Sequence, residues 1–281
     1  MFLRPLILLS IFCLLTISND FADGLPSNAL PDTNYPIPSG AIFVAPNGND
    51  ANAGTVNSPL QSIRTAKGKV VAGGTIVLRG GSYYDVDLDS FTKKVTIQAY
   101  PHEKPWIKGS VPVTGWTPDG SIWRHSGWTK QFCTNCFPQQ AIDNAYPNAG
   151  LPDQVFINGI PQVQVVSKTM VTANKFFVDY VNAVLYLGTD PNGKLVEASN
   201  QWRALQFDSG SEGSVLRGVG IAQYSPHFNE DQLAAVISNA ASITFENCAF
   251  VQSAGTSLGI YNQPDVVVRY CYIGSNGRNG E

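Results

Sequence analysis

The stretch ITFENCAFVQSAGTSLGIYNQPDVVVRYCYI, residues 243–273, repeats its own apolar pattern after 23 positions. The same spacing joins five pairs: Ile237 and Ile260, Ile243 and Val266, Phe245 and Val268, Cys248 and Cys271, and Phe250 and Ile273. One step earlier, Val219 precedes Cys248 by 29 positions. A shared offset of this length predicts stacked coils, in which each coil lays its apolar side chains over those of the coil below.

Each predicted coil contains three short strands that run parallel to their counterparts about 4.8 Å away. The last coil places them at 258–261, 266–269 and 271–273, with a sharp bend at Tyr270. The counterpart of Tyr270 is Asn247, which suits a left-handed turn. Alternation directs six side chains inward: Leu258, Ile260, Val266, Val268, Cys271 and Ile273. Val219, Cys248 and Cys271 then form one inner row, and we expect both thiols to be buried and to resist alkylation.

The beginning of the chain carries a resemblance to a known superfamily. Residues 43–84, FVAPNGNDANAGTVNSPLQSIRTAKGKVVAGGTIVLRGGSYY, combine a strand, a Gly/Asn-rich loop and a short helix that starts after Ser62. This segment resembles the opening of secreted proteins of the pectin-lyase-like right-handed parallel β-helix superfamily. The resemblance implies that the helix caps the open bottom of the coils. VTIQAYPHEKPWIKGS, residues 95–110, is similar to the next coil of that superfamily.

The predicted fold is therefore all-β, a right-handed parallel β-helix with an N-terminal capping helix and a small inserted antiparallel β subdomain. We divide the chain into a secretory signal (1–24), a linker (25–40), the cap and first coils (41–110), the insert (111–200) and the later coils (201–281). Arg4 followed by the apolar run 6–17 indicates the signal, because that run is short for a membrane span. No closing element follows the last coil, which predicts a truncated chain.

Aromatic residues make up 11% of the chain and charged residues 14%, a combination that suits a secreted carbohydrate-active protein and also many other all-β proteins. The net charge is −3 and no basic cluster occurs, which gives no electrostatic case for nucleic acid or for an anionic membrane once the signal is removed. We expect a monomer whose partner is a polysaccharide or oligosaccharide. Cys133 and Cys136 can form a small disulfide loop, remain free thiols, or supply half of a metal site, but the three scattered histidines do not complete a zinc site. No metal site is predicted from this motif.

The superfamily resemblance implies a substrate groove along the outer face of the first-strand sheet. Six side chains are predicted to point outward there: Gln206, Asp208, Val236, Ser238, Gly259 and Tyr261. The longer 29-residue step places a loop, residues 223–233, above this groove. The candidate catalytic residues are Asp208, Glu230, Asp231 and His227, and the candidate substrate-binding residues are Tyr261, Tyr224, Ser238 and Gln206.

Two chemistries suit these residues. A hydrolase needs two carboxyl groups that flank the bond, which Asp208 with Glu230 or Asp231 can supply. A lyase needs a base near an acidic sugar and often Ca²⁺ held by carboxylates, for which Glu212 is a further candidate ligand. No motif selects between them. The leading hypothesis is a secreted enzyme that cleaves a polysaccharide by hydrolysis or β-elimination; the alternatives are a non-catalytic carbohydrate-binding or adhesive β-helix and an inactive N-terminal fragment of such an enzyme.

Overall fold

Parallel β-structure dominates a computed structural model of the chain, which describes residues 21–22, 25–26, 28–132, 148, 150–226, 234–261 and 263–274. The strands, numbered in chain order, are β1 (Phe21–Ala22), β2 (Leu25–Pro26), β3 (Ile42–Val44), β4 (Thr75–Leu78), β5 (Gly81–Tyr83), β6 (Ser90–Phe91), β7 (Thr96–Ala99), β8 (Pro105–Lys108), β9 (Ser110–Pro112), β10 (Thr117–Asp119), β11 (Ile122–Ser126), β12 (Val155–Ile157), β13 (Ile160–Pro161), β14 (Val163–Gln164), β15 (Lys175–Asp179), β16 (Val184–Leu187), β17 (Val196–Ser199), β18 (Leu205–Phe207), β19 (Val215–Arg217), β20 (Gly220–Ala222), β21 (Ala234–Ser238), β22 (Thr244–Glu246), β23 (Ala249–Val251), β24 (Thr256–Ile260), β25 (Val267–Arg269) and β26 (Tyr272–Gly274). An α-helix, α1, spans Ile63–Lys69, and a 3-10 turn spans Lys168–Met170.

Three parallel sheets form the body of the molecule. Sheet A has the order β24-β21-β18-β6, sheet B the order β25-β22-β19-β7-β4-β3, and sheet C the order β26-β23-β20-β8-β5. The chain visits A, B and C in turn in each later coil, so every strand hydrogen-bonds to its counterpart one coil away. The predicted parallel β-helix is confirmed.

The core lies between the three sheets and is built from rows of stacked apolar side chains. In sheet B the row runs Ile76, Ile97, Leu216, Phe245 and Val268. In sheet C it runs Tyr83, Ile107, Ile221, Phe250 and Ile273. Aromatic rings join the sheets, because Phe207 lies 5.7 Å from Phe91 and 6.0 Å from Phe245 between ring centroids. These rows explain why a 23-residue repeat is visible in the sequence.

The register predicted for sheets B and C agrees with the structure. Phe245 pairs with Val268 and Phe250 pairs with Ile273. Asn247 and Tyr270 occupy the bend between the two sheets with φ of 51° and 57°, where left-handed backbone is required. The amide of Tyr272 donates to the carbonyl of Cys248, so Cys248 and Cys271 lie in adjacent coils of one row, as predicted.

The register predicted for sheet A is wrong by one residue. Ile237 pairs with Gly259, and Ser238 pairs with Ile260. From sheet A to sheet B the chain needs eight positions in the last coil (Ile260 to Val268) but only seven in the coil before it (Ser238 to Phe245). The extra residue lies in the turn between β24 and β25, so the offset of 23 pairs the wrong residues of β21 and β24. Val236 and Ser238 point inward, not outward as predicted, and both are fully buried.

Apolar side chains of the last coil point inward but stay partly exposed. Ile260, Val268 and Ile273 are 41%, 39% and 54% exposed, because no described strand stacks on β24, β25 or β26. Cys271 is likewise only half-buried, whereas Cys248 is fully buried, and both thiols are free. The expectation that both thiols are buried is therefore confirmed for Cys248 and wrong for Cys271.

Helix α1 lies beside the first strands of sheet B. The hydroxyl of Ser62 caps it by accepting a hydrogen bond from the Thr65 amide. Ile63 and Ala66 are buried in the same core as Val44 and Leu60. Within the described part of the chain, no helix has the length and apolar character needed to cross a lipid bilayer.

Between β8 and β18 the chain leaves the coils and forms two further sheets. One has the order β10-β11-β16-β15-β14 and the other the order β13-β12-β17-β9, with antiparallel pairing except between β14 and β15. They enclose a separate core that includes Phe176, Leu185 and Val196. The tryptophans of this region pack against that core: Trp116, Trp123 and Trp128. Their packing favours a structural role for these rings.

A buried polar cluster joins this region to the coils. Lys108 of β8 donates to Glu197 of β17, and both side chains are completely buried. Gln223 donates to Glu197 Oε2 at 3.3 Å and to Gln252 Oε1 at 3.2 Å, while Ser110 donates to Gln223 Oε1 at 2.5 Å. Nearly every buried polar atom here thus has a partner, as burial requires.

Residues 28–40, part of the predicted linker, lie extended against the coils. Leu30 is buried beside Ala249 and Trp106. Tyr35 accepts a hydrogen bond from Asn247 at 2.7 Å, and the Arg217 guanidinium lies over its ring. We call this segment the strap. Its side chains cover apolar surface of sheets B and C. The Pro- and Asn-rich composition of the segment predicted a linker and gave no sign of this packing.

Candidate functional site

The outer face of sheet A carries a connected set of polar side chains. Gln206 points outward from β18, and Asp208 follows directly after that strand. The Gln206 amide donates to Asp208 Oδ1 at 2.6 Å, and the amide of Asn239 donates to the same oxygen at 3.1 Å. Asp208 and Asn239 therefore occupy equivalent positions in adjacent coils.

Asp208 is held as an anion. Its partial burial would raise the pKa, but hydrogen bonds from Ser90, Gln206 and Asn239, together with the positive charge of Arg203, outweigh burial and lower the pKa. A carboxyl group with a lowered pKa transfers protons poorly at neutral pH. It is well suited to accept hydrogen bonds from sugar hydroxyls or to stabilise positive charge.

Arg203 borders the same face on the side of β6. Its Nη1 donates to Gln206 Oε1 at 2.9 Å, and its Nη2 lies 3.7 Å from Asp89 Oδ1. The guanidinium also stacks over the ring of Trp202, 4.4 Å from the ring centroid. Arg203 Nε is buried and has no hydrogen-bond partner within the described residues. This N–H therefore cannot reach a ligand at the surface, and what Arg203 offers the face is its positive charge, close to Gln206 and Asp208.

Tyr261 supplies the aromatic surface of this face. Its ring lies flat over Gly259, so closely that a Cβ on Gly259 would come within 2.7 Å of Tyr261 Cε2. Only glycine leaves room for the ring in this place. A tyrosine ring exposed in this way on a polar surface is a common platform for sugar rings.

Two predicted binding residues are not on this face. Ser238 is fully buried, and its hydroxyl donates to the carbonyl of Ala240. Tyr224 is 1% exposed, and its hydroxyl donates to the carbonyl of Val86 at 2.7 Å. Both predictions are corrected: Ser238 is directed inward by the one-residue shift of sheet A, and Tyr224 fills the core beside Gly109.

His227, Glu230 and Asp231 lie outside the described residues, as do Cys133 and Cys136. The loop that contains the first three connects β20 to β21. Gln206, Asp208 and Tyr261 are on the predicted face. Sequence reasoning missed Asn239, Arg203 and Asp89. Asn239 could have been found one position beyond Ser238, had the shift in register been known.

The described residues do not fit a Ca²⁺ site. Among them, no three His, Cys, Asp or Glu side chains come together as they would around a metal ion. Glu212, a candidate ligand, turns back to accept hydrogen bonds from the Gly210 amide. Asp208 Oδ1 already faces two amide donors. No step of the chemistry is therefore assigned to calcium.

Comparison with curated proteins shows local similarity to a lyase. Over 88 residues the chain is 40% identical to pectate lyase PEL9 of Emericella nidulans, a match that covers 29% of this chain and 22% of the lyase. Over 73 residues it is 34% identical to the uncharacterized protein YwoF of Bacillus subtilis, covering 24% of this chain and 15% of that protein. The chain thus matches less than a quarter of the length of either relative. No family model matches it.

Solved structures share the fold at low sequence identity. XylC in complex with xylose superposes with a TM-score of 0.60 and 17% identity, covering 75% of this chain and 40% of XylC. A glycoside hydrolase superposes with a TM-score of 0.52 and 14% identity, covering 79% of this chain and 63% of the hydrolase. These superpositions show that the chain shares the parallel β-helix fold with both structures. More particularly, the chain has the pectin-lyase-like fold, as the resemblance of its first coils implied.

Proposed function

We propose that this protein binds an acidic polysaccharide along the outer face of sheet A and cleaves it by β-elimination. The observation that carries the proposal is the placement of a carboxylate with a lowered pKa, Asp208, beside the guanidinium of Arg203 on the outer face of sheet A. The guanidinium attracts a sugar carboxylate, and Asp208 accepts hydroxyl groups. The local similarity to a pectate lyase supports elimination over hydrolysis.

Proton transfer needs a group other than Asp208, because its pKa is lowered. We assign it to the loop before β21, which supplies His227, Glu230 and Asp231. In the proposed reaction a base takes the proton from the carbon next to the sugar carboxyl group. The C–O bond to the neighbouring sugar then breaks, a double bond forms in the ring, and the released oxygen gains a proton. Tyr261 supports the sugar ring during this step.

The experiment follows unsaturated products by ultraviolet absorbance and new reducing ends by a colour assay on a panel of acidic and neutral polysaccharides. We expect both signals with an acidic polymer. His227→Ala should lower kcat, whereas Asp208→Asn should mainly raise KM; Asp190→Asn, at an exposed turn of the antiparallel region, is the control. Reducing ends without unsaturated products would replace elimination by hydrolysis. Binding without any cleavage would make the protein a non-catalytic carbohydrate-binding β-helix.

The proposal extends to the organisation of the chain. Residues 1–24 serve as a secretory signal, and the mature protein is an extracellular monomer. Helix α1 acts as the lid of the first coils, supported by the burial of Ile63 and Ala66. Residues 111–200 act as an inserted subdomain, supported by their separate core. Detection of the mature chain in culture medium, with its N-terminus sequenced, tests the signal.

A further inference from the structure

A cavity of about 440 Å³ opens between the first turn of α1 and the segment that leads from β5 to β6. Its volume falls in the range of small-molecule sites, about 300–1,000 Å³. Buried side chains form its floor: Ile63, Tyr83 and Leu88. Polar and aromatic side chains form its wall: Ser62, Arg64, Ser82, Tyr84, Asp85 and Asp87.

Two carboxylates in the wall are fixed in place through one oxygen each. Asp85 Oδ1 accepts hydrogen bonds from the amides of Asn200 and Gln201, both at 2.7 Å. Asp87 Oδ1 accepts from the Asp89 amide at 2.9 Å. These bonds hold both side chains in position, and within the described residues they engage Oδ1 of each carboxylate, while a carboxylate has acceptor capacity on both oxygens.

The charge of the wall disfavours an anionic ligand. Arg64 is the cationic member of the wall, and its guanidinium is already engaged by Asp89 Oδ2 at 2.9 Å and by the carbonyl of Asp87. Among the described residues that line the cavity, Asp85 and Asp87 thus face it together with the engaged Arg64, while the ammonium groups of Lys67 and Lys130 attract carboxylates of this wall from outside the lining. Such a wall suits hydroxyl donors, since each carboxylate oxygen can accept them without a charged partner.

The cavity adjoins the face of sheet A. Asp89 links the two, because its Oδ2 accepts from Arg64 in the cavity wall and its Oδ1 lies 3.7 Å from Arg203 on the face. A glycan lying along sheet A toward β6 would bring its next residue to the cavity mouth. The two sites differ in charge: the face offers a guanidinium, whereas the cavity offers carboxylates.

We propose that this cavity binds an uncharged, hydroxyl-bearing sugar residue, an end or a branch of the glycan that sheet A binds. The proposal rests on the proposed function in that the ligand is a glycan. Asp85 and Asp87 accept its hydroxyl groups through Oδ2, and Tyr84 borders its ring. A uronic acid is rejected here by the same carboxylates that accept neutral sugars.

The test uses the full chain and saturation-transfer NMR with neutral mono- and disaccharides, and with galacturonic acid as the anionic probe. We expect neutral sugars to receive saturation from protons of the cavity. Galacturonic acid should receive saturation only from protons of sheet A. Asp87→Asn removes the charge but keeps the acceptor for the Asp89 amide. We expect it to weaken neutral-sugar binding about tenfold, the loss typical of a hydrogen bond to a charged group.

Two further variants keep the test decisive. Gln61→Trp places a ring at the cavity mouth from an exposed position and should also abolish the neutral-sugar signal. Asp190→Asn is matched to Asp87→Asn, because Asp190 Oδ1 accepts from the amide two residues ahead at the same 2.9 Å, and it should change nothing. No saturation of any neutral sugar, or an unchanged signal with Asp87→Asn, would overturn the proposal. Neutral-sugar binding that persists without polysaccharide cleavage would overturn the proposed function instead.

Discussion

Lys108 Nζ lies 2.7 Å from Glu197 Oε1, and neither side chain reaches solvent. Lys108 belongs to a coil strand and Glu197 to an antiparallel strand, so this ion pair ties the two regions together. The Lys108 ammonium also lies over the ring of Tyr84, 5.2 Å from the ring centroid. Two desolvated charges offset each other only when both are present, so each member of this pair depends on the other for its burial.

Removing one member of this pair should destabilise the protein strongly. Lys108→Met leaves Glu197 as an uncompensated buried charge, and we expect a loss of about 3–5 kcal/mol in the free energy of unfolding. The double variant Lys108→Met with Glu197→Leu should lose much less. Denaturant unfolding monitored by tryptophan fluorescence measures both.

The exposed pair Lys168 and Asp119, 2.8 Å apart, is the matched control. Because solvent screens it, Lys168→Met should cost far less stability than Lys108→Met. A loss of similar size at Lys108 and Lys168 would show that the buried pair does not hold the two regions together.

Asp153 should make the stability of the antiparallel region depend on pH. Its side chain is 3% exposed, and burial raises its pKa to about 6, against hydrogen bonds from Tyr180 and Gln164 that lower it. Between about pH 4 and pH 6 the folded state keeps a proton that the unfolded state loses. The contribution of Asp153 to the free energy of unfolding is therefore largest below about pH 4. It falls by roughly 3 kcal/mol as the pH rises to 6.

The variant Asp153→Asn keeps an acceptor for Tyr180 and removes the titration. We expect its free energy of unfolding to change less than that of the natural chain between pH 4 and pH 6. Thermal unfolding at a series of pH values measures the slope. Identical slopes for the two proteins would refute the assignment.

Tyr261 and Gly259 should act together in glycan binding. Tyr261→Ala removes the aromatic surface, and we expect about fivefold weaker binding of polysaccharide, equivalent to about 1 kcal/mol. Gly259→Ala should weaken binding in the same direction, because its Cβ displaces the ring. Affinity electrophoresis compares them with Tyr270→Ala, which alters a 79% exposed ring away from sheet A. Weakening by Tyr270→Ala of the same size would indicate non-specific binding.

The two stacked thiols should differ in reactivity. A hydrogen bond from the Cys248 thiol lowers the pKa of Cys271 to about 7, whereas burial raises the pKa of Cys248. We expect iodoacetamide to modify Cys271 in the folded protein, at a rate that rises through pH 7, and Cys248 only after unfolding. Peptide mass spectrometry identifies the modified residue.

Replacing the neighbouring thiol tests the cause of this difference. Cys248→Ala removes the hydrogen bond, so the labelling of Cys271 at pH 7 should slow by roughly tenfold. Equal labelling rates for Cys248 and Cys271 in the natural chain would contradict the burial difference.

The sequence predicted sheets B and C well because their turns have constant length. The pairs Phe245–Val268 and Phe250–Ile273 have the same spacing, because the bends at Asn247 and Tyr270 have the same conformation and length. Sheet A was misread by one residue, since the turn before Val268 is longer by one. A period measured on two sheets does not fix the register of the third.

The candidate site was only partly predictable for a related reason. Gln206 and Asp208 follow from the alternation of one strand. Arg203 and Asp89 meet across a sequence separation that includes the whole antiparallel region, so no local pattern brings them together. Tyr224 looked like a loop residue, yet Gly109 provides the space that allows its ring into the core.

The strap has a consequence for where the folded unit starts. Leu30 and Tyr35 cover Trp106, Ala249 and the Arg217 side chain, so a shortened chain that begins at Ala41 would bare these surfaces to water. Such a shortened chain should be less stable than one that keeps the strap. Residues 28–40 therefore belong to the folded unit and form an outer layer against its coils.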